Sequence, residues 1–232
     1  MRFYTNVQMV GDNFLVRGYE DGKHFATREK FYPTLFVDSK RKTKYKTLDG
    51  LPVEPIEPGT VRDCREFIKK YKDVENFNVY GNERFIYQYI SSKYPETELK
   101  FDIEQIKLTT IDIEVKSEYG FPDVESCAEE ILLITLQDYT TKQIRTWGLG
   151  GFNNKQENVI YKSFRTEYEL LTDFINWWMI EDNTPEVITG WNSKLYDIPY
   201  VCRRLDRVLG GKLMKRMSPW GLVTECETFI AG

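Results

Sequence analysis

The chain changes its hydrophobic rhythm once, near residue 105. Before that point, short runs alternate apolar and polar positions with the two-residue period of half-buried strands: FYTNVQMV, NFLVRGYE, HFATREKFY and TLFVDS. Gly11-Asp12 and Asp21-Gly22 supply turns between the first three. LDGLPVEPIEPG, residues 48–59, is rich in Pro and Gly and predicts a loop. Thr60 with Asp63 predicts a capped helix whose buried stripe is Val61, Cys64, Phe67, Ile68 and Tyr71. A second helix is expected from about Asn82, with Phe85, Ile86, Tyr89 and Ile90 on one face, stopping before Pro95.

Beyond Lys107 the pattern differs. KLTTIDIEV, ILLITLQDY and QIRTWGL each predict a strand, YTTK (139–142) turns between the last two, and a shorter run, NVIYKSF, follows. Thr166 and Glu169 form a capping box opening a helix with the stripe Leu170, Leu171, Phe174, Ile175 and Trp178. EVITGWN predicts another strand, and a helix is expected from Asp197-Ile198-Pro199, since Pro is tolerated in a first turn. The order is β-β-β-α-β-α. The expectation is an α/β chain, α+β overall, with a smaller α+β domain over 1–104 and a second domain over 105–232.

Composition narrows the chemistry. Hydrophobic residues at 41% and charged residues at 29% are ordinary for a globular protein. A formal charge of −4 gives no global basic field, so any nucleic-acid contact must be local. No run of 18 apolar residues exists to cross a membrane as a helix, and MRFYTNVQMVGDNF lacks the apolar core of a signal peptide. Cys64, Cys127, Cys202 and Cys226 show no CxxC pairing and read as reduced thiols. His24 is the only histidine, so a Ser-His or Cys-His mechanism must use it or be dropped. An acid-rich, imidazole-poor chain points to hard, oxygen-ligated metals.

Two acids stand inside the strand KLTTIDIEV. Alternation puts Leu108, Thr110, Asp112 and Glu114 on one side and Thr109, Ile111, Ile113 and Val115 on the other. The two carboxylates leave the strand in parallel, their roots roughly 6.5–7 Å apart. A strand with one wet face carries such acids harmlessly; a divalent cation between them gives them a use. The second feature is GWNSKLYDIPYV, residues 190–201, which leaves a strand and enters a helix. Asp197 there reads either as a helix cap or as a ligand brought beside the first strand, and Asn192 either as a turn residue or as a site residue.

TIDIEV together with GWNSKLYDIPYV resembles the first two motifs of the 3′→5′ proofreading exonuclease of family B DNA polymerases. The chain's layout is similar to the N-terminal and exonuclease domains of T-even-type bacteriophage polymerases. REKFYPTLFVDS, the GFP after the first motif and KRMSP are further matching pieces. The resemblance implies an RNase H-like second domain with Asp112, Glu114 and Asp197 as catalytic, metal-binding carboxylates for two Mg²⁺ (or Mn²⁺). It implies DNA contacts at Asn192 and Tyr196, and Phe121 stacked on a base of the frayed primer end. Arg203 and Arg204, in the basic cluster after the second motif, are expected to meet DNA; a wet helix face is the other reading. The implied partners are primer-template or single-stranded DNA and the rest of a polymerase, in the cytoplasm of an infected bacterium.

The family also supplies a later Y-x-x-x-D motif, and nothing after Asp197 fits it: Asp206, Glu225 and Glu227 have no Tyr at that spacing. The RNase H-like sheet is therefore expected to be incomplete, with weak or no nuclease activity in isolation. The chain reads as the first part of a larger enzyme or the first subunit of a split one. A non-catalytic DNA-binding or assembly module is the alternative, and a stand-alone exonuclease acting on RNA the third reading. KRKTKYK, residues 40–46, reads as a solvated loop or a grip on template phosphates, Trp177 and Trp178 as core and helix flank, and Cys202 as packing.

Overall fold

A computed structural model of the chain describes residues 1–95, 100–118 and 120–225. Cys226 and Glu227, read above as a thiol and a spare acid, lie outside the described residues. The chain divides into two compact units, Met1–Gln105 and Ile106–Gly232.

The first unit opens with an antiparallel meander, β1 (Arg2–Val10), β2 (Asn13–Glu20) and β3 (Lys23–Lys30). Asp21 and Gly22 both take positive φ, 48° and 79°, which a two-residue hairpin between right-twisted strands requires. A second sheet holds β4 (Leu35–Asp38), β5 (Tyr45–Lys46), β6 (Pro52–Ile56) and β7 (Val79–Tyr80) in the order β5-β6-β4-β7. The expected loop over 48–59 thus contains a strand. Its prolines are compatible because Pro52 is the first residue of the strand and Pro55 lies beyond the reach of β5, which pairs only with Pro52 and Val53. Helix α1 (Val61–Tyr71) starts at the Thr60–Asp63 capping box, and α2 (Phe85–Lys93) follows β7. Phe14, Val16, Leu35, Val61, Cys64, Phe85 and Tyr89 form the core between them. Lys40, Arg41, Lys42, Lys44 and Lys46 are all exposed.

The second unit is built on β8 (Leu108–Val115), β9 (Ile131–Asp138), β10 (Ile144–Leu149), β11 (Val159–Phe164) and β12 (Val187–Thr189). Their order is β11-β10-β9-β8-β12, with β9 antiparallel to both neighbours and the outer pairs parallel. NVIYKSF is therefore a full strand, β11, added to the expected order; the arrangement is RNase H-like. Helix α3 (Glu167–Trp178) opens at the Thr166–Glu169 capping box and packs on β10 and β11. Helix α4 (Asp197–Leu209) packs on β8 and on α3, and a short helix α5 (Gly211–Met214) follows.

Burial supplies the organising force. Ile111, Ile134, Trp147, Leu170, Leu171, Phe174, Ile175, Tyr200, Val201 and Leu205 are essentially sealed from water in one cluster. Fully burying a side chain of this size is worth about 1.5–3 kcal/mol. Trp178 is core, its indole N–H donating to the Met217 carbonyl at 3.1 Å, while Trp177 flanks the helix and meets the Trp147 ring edge-on. Among the described residues no helix is long and apolar enough to cross a membrane.

Candidate active site

The site is made where one parallel pair stops. β12 pairs with β8 only from Leu108 to Thr110, so β8 runs on through Val115 with that edge uncovered. The chain leaves β12 at Gly190, where an added Cβ would lie 2.5 Å from the Ile111 carbonyl oxygen. Only glycine permits that approach. Asn192 then takes φ +60°, a conformation Asn tolerates better than most residues, and its carbonyl accepts from the amides of Leu195 and Tyr196. This tight turn aims the start of α4 at the open edge. The backbone N–H of Ile113, left without a strand partner, donates to Asp197 Oδ1 at 3.1 Å.

The alternation on β8 is as its sequence predicts: Ile111 and Ile113 are buried, Asp112 and Glu114 exposed. Asp112, Ile113, Phe121, Trp191, Asn192, Tyr196 and Asp197 line one open cleft of about 620 Å³. Glu114 opens into an adjoining depression of about 370 Å³ that shares Ile113, Phe121 and Tyr196 with it. Asp112 and Asp197 thus share a cleft, with Glu114 next door. Among the described residues no three acids, histidines or cysteines stand close enough to form a ready-made metal cluster.

Asp197 is 3% exposed, and burial pushes its carboxyl above the usual carboxylate range. The Ile113 and Asp197 backbone N–H groups oppose that shift, and the Asp112 charge adds to it. Among the described residues none of Asp112, Glu114 and Asp197 is paired with a Lys or Arg. The donor set fits a hard divalent ion in kind, being all oxygen, negatively charged and unneutralised.

Aromatic rings roof the cleft. Phe121, 79% exposed, leans on Tyr196 with ring centroids 4.7 Å apart, and Tyr196 leans on Tyr200 at 5.5 Å. Trp191, 94% exposed on the cleft rim, was not among the residues singled out from sequence. Its signal is weak: one aromatic in a turn, where nothing requires an aromatic for packing.

One expected DNA contact is corrected, and a second is engaged within the unit while staying partly exposed. Arg204 is 5% exposed; its guanidinium forms a fork with the Glu167 carboxylate and donates to the Cys127 and Ala128 carbonyls. Arg203 is half-buried, donating to the Val124 carbonyl at 2.8 Å and to Glu225. The Arg204 guanidinium is consumed inside the unit, and that of Arg203 is partly engaged there, because the segment after Phe121 folds back under α4.

Residues 60–226 match the family model described as DNA polymerase family B, exonuclease domain. The match begins inside the first unit. The chain is 30% identical over 95% of its length to the DNA-directed DNA polymerase of Enterobacteria phage T4. It is 30% identical over 94% of its length to that of Escherichia phage RB69. It spans 27% of the length of each of these relatives. The family B DNA polymerase from Pyrobaculum calidifontis shares the fold over 90% of this chain and 33% of its own, with a TM-score of 0.59 at 16% identity.

Proposed function

The chain belongs to the exonuclease domain of the family B DNA polymerases, and we propose that it is the N-terminal and proofreading portion of such an enzyme. In this reading it removes the 3′-terminal nucleotide of mispaired primer DNA during replication in the cytoplasm of an infected bacterium, with the polymerising portion as partner. The observation that carries it is the cleft itself. Asp112 and a buried, unneutralised Asp197 stand under exposed aromatic rings, just past the point where the parallel pairing of β12 with β8 stops.

Asp112, Glu114 and Asp197 would hold Mg²⁺ or Mn²⁺. Bound there, divalent metal supplies charge neutralisation at the phosphate and a water acidified enough to attack it. The chain's own residues do the rest. The Ile113 N–H fixes one Asp197 oxygen at the wall of the cleft that Asp197 lines. Phe121 and Tyr196 offer a stacked surface to an unpaired base, which a single strand can splay onto and a duplex cannot. Asn192, held in its turn, presents an amide to the terminal nucleotide.

A second reading, a non-catalytic module that binds DNA or the polymerising portion, is favoured by the spread of the three acids over two depressions. One assay separates them: incubation of the chain with 5′-labelled single-stranded DNA and Mg²⁺ or Mn²⁺. Slow one-nucleotide trimming from the 3′ end, lost in Asp112→Asn, supports the first reading. Oligonucleotide binding without metal-dependent trimming supports the second. Absence of both sinks the pair.

A further inference from the structure

Helix α4 does more than present Asp197. Its Tyr200, Arg203, Arg204 and Arg207 recur at the helical spacing of one face, and all four reach the backbone of one irregular segment. Arg203 donates to the Val124 carbonyl at 2.8 Å. Arg204 donates to those of Cys127 and Ala128 at 3.0 and 3.2 Å, and Arg207 to those of Ser126 and Cys127 at 3.1 and 3.2 Å. The Tyr200 hydroxyl donates to the Glu129 carbonyl at 2.9 Å, and the Cys127 thiol to the Tyr200 carbonyl at 3.5 Å. The segment is also tied to itself: Asp123 accepts from the Ser126 amide through its side chain at 2.7 Å and from the Cys127 amide through its carbonyl at 2.9 Å.

That tied turn starts one residue after Pro122, and Pro122 follows Phe121. Proline fixes its own φ and restricts the residue before it, so a turn anchored at 123–128 transmits its position to Phe121. We infer that Arg203 and Arg207 are positioning residues for Phe121, setting where that ring stands over the cleft rather than binding DNA phosphate. The inference rests on the proposed use of Phe121 as a base platform, and it assigns the basic stripe of α4 to protein carbonyls. Arg204 belongs to the same clamp, but its buried pairing with Glu167 makes it a poor probe, because its removal threatens the fold.

The test uses the whole chain, with Arg207→Gln, Arg207→Lys, Phe121→Ala and the Phe121→Ala/Arg207→Gln pair. Hydrogen exchange of the 120–128 amides is measured first. Arg207→Gln is expected to speed exchange in that segment about fivefold, the worth of one net hydrogen bond, with β8 and β9 unchanged. Unchanged exchange at 120–128 overturns the inference whatever the DNA results. Binding of a labelled oligothymidylate, read by anisotropy, follows. Arg207→Gln should weaken binding about fivefold in the parent and not at all in the Phe121→Ala background, while Arg207→Lys recovers part of the loss. An Arg207→Gln loss that persists without Phe121 and flattens the salt dependence would instead identify a phosphate contact and overturn it. Should the parent chain not bind the oligonucleotide, the proposed function fails, and the exchange measurement still decides the positioning claim.

Discussion

The second unit buries two carboxylates almost equally, Glu167 at 5% exposure and Asp197 at 3%, and surrounds them in opposite ways. Glu167 meets the fork of Arg204 and accepts the Ile131 N–H at 2.9 Å, so its charge is neutralised and its oxygens are used. Asp197 receives one strand N–H, no cation among the described residues, and the charge of Asp112 nearby. Burying an anion without a counter-charge is costly. A fold that keeps such a group meets the cost by holding a proton on it or by taking a cation from outside the chain. The first carboxylate is a finished piece of architecture and the second is an open valence.

The contrast can be broken most forcibly at Arg204. Arg204→Met leaves Glu167 buried without its partner and should destabilise the second unit by about 3–5 kcal/mol in a denaturant melt. Removing both charges together, Arg204→Met with Glu167→Gln, should recover much of that loss. The opposite sign is expected at the other acid. Asp197→Asn keeps an acceptor for the Ile113 N–H and removes the buried charge, so in metal-free buffer at neutral pH it should gain about 1 kcal/mol while losing function.

The pH dependence follows with its sign. Because the folded state raises the Asp197 pKa, folded chain holds that proton more tightly than unfolded chain. Asp197's contribution to stability is therefore largest below the unfolded value, about 3.9, and is lost as pH rises from there through the raised folded value. Asp197→Asn should flatten that slope, as thermal melts between pH 4 and 7 will report. Asp112→Asn, at an exposed position, should change stability by no more than about 0.5 kcal/mol yet abolish metal-dependent trimming. The mildest case is Cys202, half-buried against apolar neighbours with no ligand role. Its thiol, pushed up to about 11, should alkylate at pH 8 roughly two orders of magnitude more slowly than a free cysteine, as peptide mass spectrometry can follow.

The open acid was largely legible and the finished one was not. Strand alternation fixes which way Asp112 and Glu114 point, and the strand-to-helix motif places Asp197 at the start of α4; both are local facts with local signals. The capping boxes at Thr60 and Thr166 were readable for the same reason. Arg204 was misread because its partner lies 37 residues away on α3, and a guanidinium on a helix carries no mark of which element will pack against it. β6 was hidden by its prolines: Pro52 is tolerated as the strand's first residue, and Pro55 because β5 stops short of it. Trp191 offered no periodicity at all.

Divalent-ion binding tests the central claim most directly. Mn²⁺ titrated into the parent chain, Asp112→Asn and Asp197→Asn, followed by electron paramagnetic resonance and by Tm, should show saturable binding and a Tm rise only in the parent. Equal binding in all three chains, or none in any, would contradict the account of Asp197 as a charge held ready for a metal.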